Sequence, residues 1–383
     1  MSSSYRIVFY VSGHGFGHTS RSIEVILALL GAQPEAQIVV KTAAPHRLFT
    51  DVLDERCELV ELQCDAGIVQ IDSLSLDATE SIRHAAAFQE QFPALAAAEA
   101  AYLGKSRTRV VVGDIPPLAF AAAHAAGIPS VAIGNFTWDW IYESYGTDAA
   151  ADVARAVRRI YRDATVALRL PMPGGFQGLE AATRDIPFIA RRSRRTKDEV
   201  RQALGLPPRR DGKPLVLMSF GGHGITGLDT SALARLTDYT IATNSTSGSV
   251  KPAPGVLYLS DEQIDDSRLR YEDLVRGADV VVTKPGYGII SEAIANGAAL
   301  LYTSRGHFVE YDVLVREMPR YLRSRFIEQG DLLSGNWGAA LHDLLHQPPA
   351  PEKPQLNGAE IAAGEILKRI TQHATSYRLP PTS

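Results

Sequence analysis

Between residues 6 and 168, short runs rich in Val and Ile alternate with longer stretches whose apolar residues recur at helical spacing. Near-continuous apolar runs of this length suit strands buried on both faces, and strands alternating with helices build a parallel sheet covered by helices. The runs predict strands at 6–11, 38–41, 58–62, 109–113, 130–133 and 165–168, with helices at 20–30, 79–103, 118–126 and 148–162. This is one complete doubly wound unit. The alternation pauses at Leu170-Pro171-Met172-Pro173-Gly174-Gly175 and at Arg191-Arg192-Ser193-Arg194-Arg195, then restarts after Gly212. Strands are predicted again at 215–219, 239–243, 256–259, 279–282 and 299–302, and helices at 271–277 and 289–297. A second doubly wound unit therefore follows the first, with the break expected between 171 and 213. Ile361, Ile366, Leu367 and Ile370 give 358–370 helical spacing, and the end of the chain reads as a frayed tail.

Composition agrees with two globular domains: the 383 residues are 45% hydrophobic and 21% charged. Lys and Arg number 39 against 43 Asp and Glu, a formal charge of −4, which argues against a partner such as nucleic acid held by bulk positive charge. Cys57 and Cys64 are too few for a disulfide framework or a four-Cys zinc site, so a reducing cytoplasm is the expected setting. The amino terminus lacks the basic and long apolar regions of a secretory signal. The stretch 115–134 is long enough to span a bilayer, but Pro116, Pro117, Gly127 and Pro129 divide it into helix, turn and strand. No His, Asp or Glu cluster has metal-ligand spacing. Asp265-Asp266 is an isolated pair, so metal-independent chemistry is expected.

The first strand runs into Ser12-Gly13-His14-Gly15-Phe16-Gly17-His18-Thr19-Ser20-Arg21 and then a helix. Glycines at a strand-to-helix turn let a ligand approach the backbone, and the helix start offers unpaired N–H groups. The spacing is neither a dinucleotide fingerprint nor a P-loop. Two histidines in such a loop suggest chemistry, although His18 could simply cap its helix. Asp114 follows the fourth strand; if that strand lies beside the first, it can hold one nitrogen of His18 and leave the other as a base. Alternatively, Asp114 caps the helix after Pro116 and Pro117. His14 is the rival base. Asn135, Trp138 and Asp139, after the fifth strand, could form a wall for a sugar or another polar ring, and core packing explains one tryptophan equally well.

Ser219-Phe220-Gly221-Gly222-His223-Gly224 repeats the device of strand, glycines and histidine. Thr283-Lys284-Pro285-Gly286-Tyr287-Gly288-Ile289-Ile290-Ser291-Glu292-Ala293 follows a strand and opens a helix. Amides of residues 286–289 could hold a diphosphate, with Lys284 adding charge. Glu292, one turn inside, could accept both ribose hydroxyls or be an ordinary first-turn acid. The basic stretch 191–195 reads as a solvated connector.

Two doubly wound units, the Gly15-Phe16-Gly17-His18 loop and the Gly286 to Ala293 element together resemble glycosyltransferases of the GT-B fold, notably those that add N-acetylglucosamine in peptidoglycan synthesis and galactose in galactolipid synthesis. A fuller resemblance runs over almost the whole chain. Tyr10 to His18, Cys64-Asp65-Ala66-Gly67-Ile68-Val69-Gln70, Asn135 to Asp139, Gly286 to Ala293 and Gly358 to Ala363 are similar to the amino-terminal glycosyltransferase-like region of plant L-arabinokinase, whose sugar-kinase half has no counterpart in these residues. The resemblance implies two facing Rossmann-like α/β domains with a cleft between them: an acceptor domain over 1–185, a nucleotide-sugar domain over 186–355, a helix at 356–372 packing back on the first domain, and a flexible tail at 373–383.

It further implies inverting transfer from a uridine diphosphate sugar, a co-substrate rather than a resident cofactor, to a hydroxyl acceptor. His18, Asp114 and His14 would carry catalysis. Gly17, Gly221, Gly222, His223, Lys284, Gly286, Tyr287, Gly288, Ser291, Glu292 and Glu310 would hold the donor, and Gly15, Phe16, Asn135, Trp138 and Asp139 the acceptor. Where many such enzymes place a Gln or an Asp-Gln pair against the donor sugar, this chain has Arg305 to Asp312, in which Glu310 and Asp312 could reach sugar hydroxyls. A nucleotide-sugar 2-epimerase and a non-catalytic nucleotide-sugar-binding module share the implied fold.

Overall fold

The computed structural model describes residues 5–53, 55–221, 225–244, 255–260, 264 and 266–376. The chain forms two compact units: Met1–Val69, Asp77–Ile189 and Gln355–Ser383 make the first, and Gln70–Leu76 with Ala190–Pro354 the second. The first unit is thus not the continuous span 1–185. Segment 70–76 packs with the second unit, because Leu74 enters that unit's core and the Ser73 hydroxyl donates to the Phe220 carbonyl at 2.5 Å.

In the first unit β1 (Arg6–Val11), α1 (Phe16–Ala32), β2 (Gln37–Thr42), β3 (Cys57–Glu61), α2 (Ala78–Lys105), β4 (Thr108–Asp114), α3 (Pro117–Ala125), β5 (Ser130–Phe136), α4 (Trp138–Glu143), α5 (Asp148–Tyr161), β6 (Val166–Gly174) and β7 (Thr183–Asp185) follow in order. Among the described residues the strands form a parallel sheet ordered β3-β2-β1-β4-β5-β6-β7. Ile7, Val8, Val110, Val111 and Val131 are fully buried, as a sheet covered on both faces requires. The predicted strands and helices are present, with ends shifted by a few residues. The short helix α4 and strand β7 were not expected, since neither is long enough to show a period.

The second unit contains α6 (Lys197–Ala203), β8 (Leu215–Met218), β9 (Thr240–Asn244), β10 (Val256–Leu259), α7 (Tyr271–Gly277), β11 (Val280–Thr283), α8 (Tyr287–Asn296), β12 (Ala299–Tyr302), α9 (Val309–Glu317), β13 (Ser324–Phe326) and α10 (Gly338–Leu345). Its parallel sheet is ordered β10-β9-β8-β11-β12-β13. Thr196 and Glu199 close a capping box on α6, and Gly297, at φ +77°, ends α8 in the left-handed conformation that glycine tolerates. The last helix, α11 (Gly358–Ser376), returns to the first unit and packs on α1 and β4. A Cβ at Gly358 would lie 2.2 Å from the Pro187 carbonyl oxygen, so the return needs glycine there.

In each sheet the strand order reverses beside the first strand, between β1 and β4 and between β8 and β11. Loops leaving the carboxyl ends of such a strand pair diverge and open a crevice where ligands bind. The two glycine loops of the first unit and second unit leave from these points.

Candidate active site

Strand β4 lies directly beside β1, with Val11 opposite Asp114. This register brings Asp114 to His18 across 96 positions of sequence: His18 Nδ1 is 2.8 Å from Asp114 Oδ1. His18 is 6% exposed and Asp114 2%. Gly15 is the N-cap of α1 at φ 75°, ψ 165°, a region essentially reserved for glycine, and the space where its side chain would be is open. Phe16 is exposed beside it, and Gly17 is half-buried in the first turn of α1. His14 stands on the same loop, its ring edge-on to Trp138 at 5.6 Å.

Arg21, one turn beyond His18, is the partner that the sequence did not reveal. Its Nε donates to Asp114 Oδ2 at 2.7 Å, Nη2 to Oδ1 at 2.5 Å, and Nη1 to Asn135 Oδ1 at 2.8 Å. Nη2 also lies 2.9 Å from His18 Nδ1. A guanidinium only donates, so Arg21 and Asp114 compete for that nitrogen, and the charge-assisted bond to the carboxylate requires the proton on Nδ1. Ser22 completes the carboxylate's partners at 3.1 Å. Burial pushes the Asp114 carboxyl up, but the Arg21 charge and the bonds from His18 and Arg21 outweigh it and hold the group below the usual carboxylate range.

Asp65, in the segment after β3, is a second buried carboxyl at this site. Trp138 Nε1 donates to its Oδ2 at 2.9 Å, and Ser12 bonds its side chain. Burial raises its pKa, opposed by the Ser12 bond, the neighbouring His18 and the Trp138 bond, with Asp114 adding to the rise. Three residues expected to face an acceptor are instead enclosed. Asn135 is fully buried and holds Arg21; Trp138 is fully buried and holds Asp65; Asp139 is 1% exposed and pairs with Arg158 at 2.8 Å. Their polar atoms brace the site from behind, because a wide aromatic ring beside a sheet edge buries more apolar area inside than it would on a rim. Asp114 does not cap the helix after it; Pro116 is that N-cap residue.

In the second unit, Gly221 follows β8, exposed and at φ +71° with open space at its Cβ position. Gly222 and His223 lie outside the described residues, as does Asp265. Gly286 is the N-cap of α8, likewise with open space, and Tyr287 and Gly288 form the first turn. Ser291 is buried and its hydroxyl donates to the Gly288 carbonyl at 2.9 Å. Lys284 precedes the helix, and burial together with the neighbouring Arg305 brings its pKa down to about 7 against the pull of Asp72. Glu310 is buried near the start of α9.

Glu292 does not stand open. Arg191 donates to its Oε1 through Nε at 2.7 Å and Nη2 at 2.6 Å, and the guanidinium lies 5.2 Å from the Tyr271 ring. Burial raises the Glu292 pKa, Arg191 opposes it, and Glu272 adds to the rise. Arg191 is therefore not part of a solvated connector. The run of arginines hid one whose partner lies 101 positions away. Among the described residues no group of three or more His, Cys, Asp and Glu could hold a metal ion, and no helix is long and apolar enough to cross a membrane.

Comparison with known proteins places this architecture. The glycosyltransferase of kitacinnamycin superposes with a TM-score of 0.61, covering 99% of this chain and 100% of that one at 16% identity. A Polygonum tinctorium UDP-glucosyltransferase capable of glucosylating indoxyl gives 0.58, covering 97% and 94% at 14% identity. The fold is GT-B. In sequence, the chain is 29% identical over 388 residues to L-arabinokinase of Arabidopsis thaliana, covering 98% of this chain and 36% of that protein. It thus spans about a third of that relative's length. No family model matches the chain.

Proposed function

We propose that this protein is a glycosyltransferase that moves a sugar from a nucleotide-sugar donor, a uridine diphosphate sugar, to a hydroxyl acceptor with inversion and without a metal or a resident cofactor. One observation carries the reading: in a GT-B fold, the loop at the strand-order reversal presents a histidine whose Nδ1 is on a buried carboxylate. With the proton on Nδ1, Nε2 carries the lone pair, the form of imidazole that can take a proton from a hydroxyl as the bond to the sugar forms. Gly15 and Gly17 before it let the acceptor approach.

The donor would lie on the second unit. Amides at the start of α8, with Lys284 beside them, suit a diphosphate leaving group, and positive potential there stabilises the charge that builds as the glycosidic bond breaks. Arg191 already holds one oxygen of Glu292, which leaves the other for a ribose hydroxyl. The solved UDP-glucosyltransferase and the kitacinnamycin transferase support sugar transfer through the shared fold. A cytoplasmic setting belongs to the same proposal, since Cys57 and Cys64 are free thiols.

The test starts with a thermal-shift screen of UDP, UDP-glucose and UDP-N-acetylglucosamine, because a ligand bound to the native state raises the melting temperature. The stabilising donor is then incubated with a panel of hydroxyl acceptors. Glycoside formed by the wild type and reduced by about 100- to 10,000-fold in His18→Ala supports the reading. Conversion of the donor to its 2-epimer with no acceptor present, or binding without turnover across the panel, overturns it. A His18→Ala protein at full rate beside an inactive, folded His14→Ala protein moves the base to His14.

A further inference from the structure

The charges around His18 do not balance as they would in an isolated His–Asp pair. Alone, Asp114 would compensate the positive charge His18 gains with a proton. Here Arg21 grips both Asp114 oxygens, at 2.7 and 2.5 Å, and the two side chains are 3% and 2% exposed. Their charges cancel. A proton taken up by His18 would then add an uncompensated charge to a buried site, which is costly unless another anion is near.

Asp65 is the carboxyl placed to serve as that anion. It is 7% exposed, and the partners seen for it are neutral donors: the Trp138 indole N–H at 2.9 Å and the Ser12 side chain. Among the described residues no cation comes within ion-pair distance of it. It is close enough to His18 and Asp114 for each to influence its ionisation. The Trp138 ring that holds it has its centroid 6.3 Å from that of His18. Other titratable groups facing this cluster are His14 on the glycine loop and Cys64, Tyr142 and Tyr161 near Asp65; burial raises the pKa of Cys64, Tyr142 and Tyr161 well above their ordinary values, so none of these three supplies a negative charge.

We infer that Asp65 is the counter-ion of the imidazolium formed when His18 accepts a proton, a positioning residue that acts through His18, while Arg21 cancels Asp114 and leaves it to orient the ring. The proton moves from the acceptor hydroxyl to Nε2, the hydroxyl oxygen uses the freed electron pair to bond the sugar's anomeric carbon, that carbon's bond to the diphosphate breaks with its pair leaving on the nucleoside diphosphate, and Asp65 becomes half of a neutral pair with the imidazolium. The inference rests on His18 being the base, as proposed above.

The test reads proton binding at His18 directly and needs no substrate. The full-length protein is labelled with 13C-histidine, its ring Cε1–H signals are followed against pH, and His18 is assigned by its absence from His18→Gln. Removing one unit charge several ångströms away at an effective dielectric near 20 changes proton affinity by about tenfold or more. Asp65→Asn should weaken proton binding at His18 about tenfold, Arg21→Gln should strengthen it by a similar factor, and the double variant should return near the wild type. General damage to the site does not produce opposite signs that cancel. An unchanged titration in Asp65→Asn, or shifts of the two single variants in one direction, overturns the inference. If Asp65→Asn does not fold, Arg21→Gln alone decides: unchanged or weaker proton binding refutes it. Failure of the transferase reading looks different, with the charge coupling intact and no glycoside formed.

Discussion

Replacing Asp114 by Asn tests the site's architecture through stability. Asn keeps the size of Asp but presents an amide N–H2 where one oxygen was, and every neighbour of that carboxylate is a donor: Arg21 on both oxygens, Ser22 on one, His18 on the other. Whichever way the amide turns, it sets a donor against a donor, and Arg21 loses the carboxylate that balances its buried charge. Breaking a buried ion pair on one side costs about 3–5 kcal/mol. In a unit of some 200 residues each kcal/mol moves the melting temperature by roughly 2–4 °C, so the loss should be on the order of 10 °C. Calorimetry of the full chain measures it. Arg21→Met/Asp114→Asn should recover part of the loss, since it removes the charge that Asp114 had balanced. The pH dependence gives a second check. A carboxyl held below its unfolded pKa contributes stability that is complete above about pH 4 and is lost as pH falls through the folded value. That acid-side loss should be smaller in Asp114→Asn. Asp65, raised by burial, works with the opposite sign and partly masks the effect. A variant melting within 2 °C of the wild type would refute the account of Arg21 and Asp114 as a mutually dependent buried pair.

Three further outcomes follow from the geometry. Lys284, with a pKa of about 7, should take up protons when a diphosphate binds at pH 8, so calorimetry with UDP in buffers of different ionisation enthalpy should show uptake that vanishes in Lys284→Gln. Gly15→Ala meets open space, so its cost is backbone strain alone, about 1–3 kcal/mol, read as lowered stability in urea unfolding. Glu292→Gln keeps a hydrogen-bond acceptor for Arg191 but loses the charge; UDP affinity should fall by about tenfold in titration calorimetry, and an unchanged affinity would remove Glu292 from the donor site.

Much of this molecule can be read from its residues because parallel sheets are built from runs such as Val110-Val111-Val112, buried on both faces and hard to mistake for anything else. The glycine loops were legible for a similar reason, since a strand that runs straight into glycines and a helix marks the carboxyl edge. The pairing of His18 with Asp114 needed only the further fact that β1 and β4 are neighbours. Arg21 and Asp65 were not legible as site residues. An arginine in a helix and an aspartate in a loop carry no periodic signal, and what they do depends on partners brought from β4 and α4. The same holds for Arg191, hidden among four nearby residues of which three are also arginine. Trp138 and Asp139 misled in the other direction, as their types suit a sugar-binding wall while their positions lie inside.

The interleaving of the two units bears on how the chain matures. The first unit lacks α11 until residues 358–376 have been made, and the second draws Leu74 of its core from a segment synthesised before most of the first sheet. Domains emerging from a ribosome usually fold one after another, amino-terminal first. The first unit here cannot do so to completion, because its last helix is made after the whole of the second. The amino-terminal sheet must wait, with the surface meant for α11 uncovered, while about half the chain is still being translated. Truncation at 354 would keep every segment of the second unit and leave the first without α11, whereas truncation at 185 would leave the first unit unfinished and segment 70–76 without the unit it belongs to.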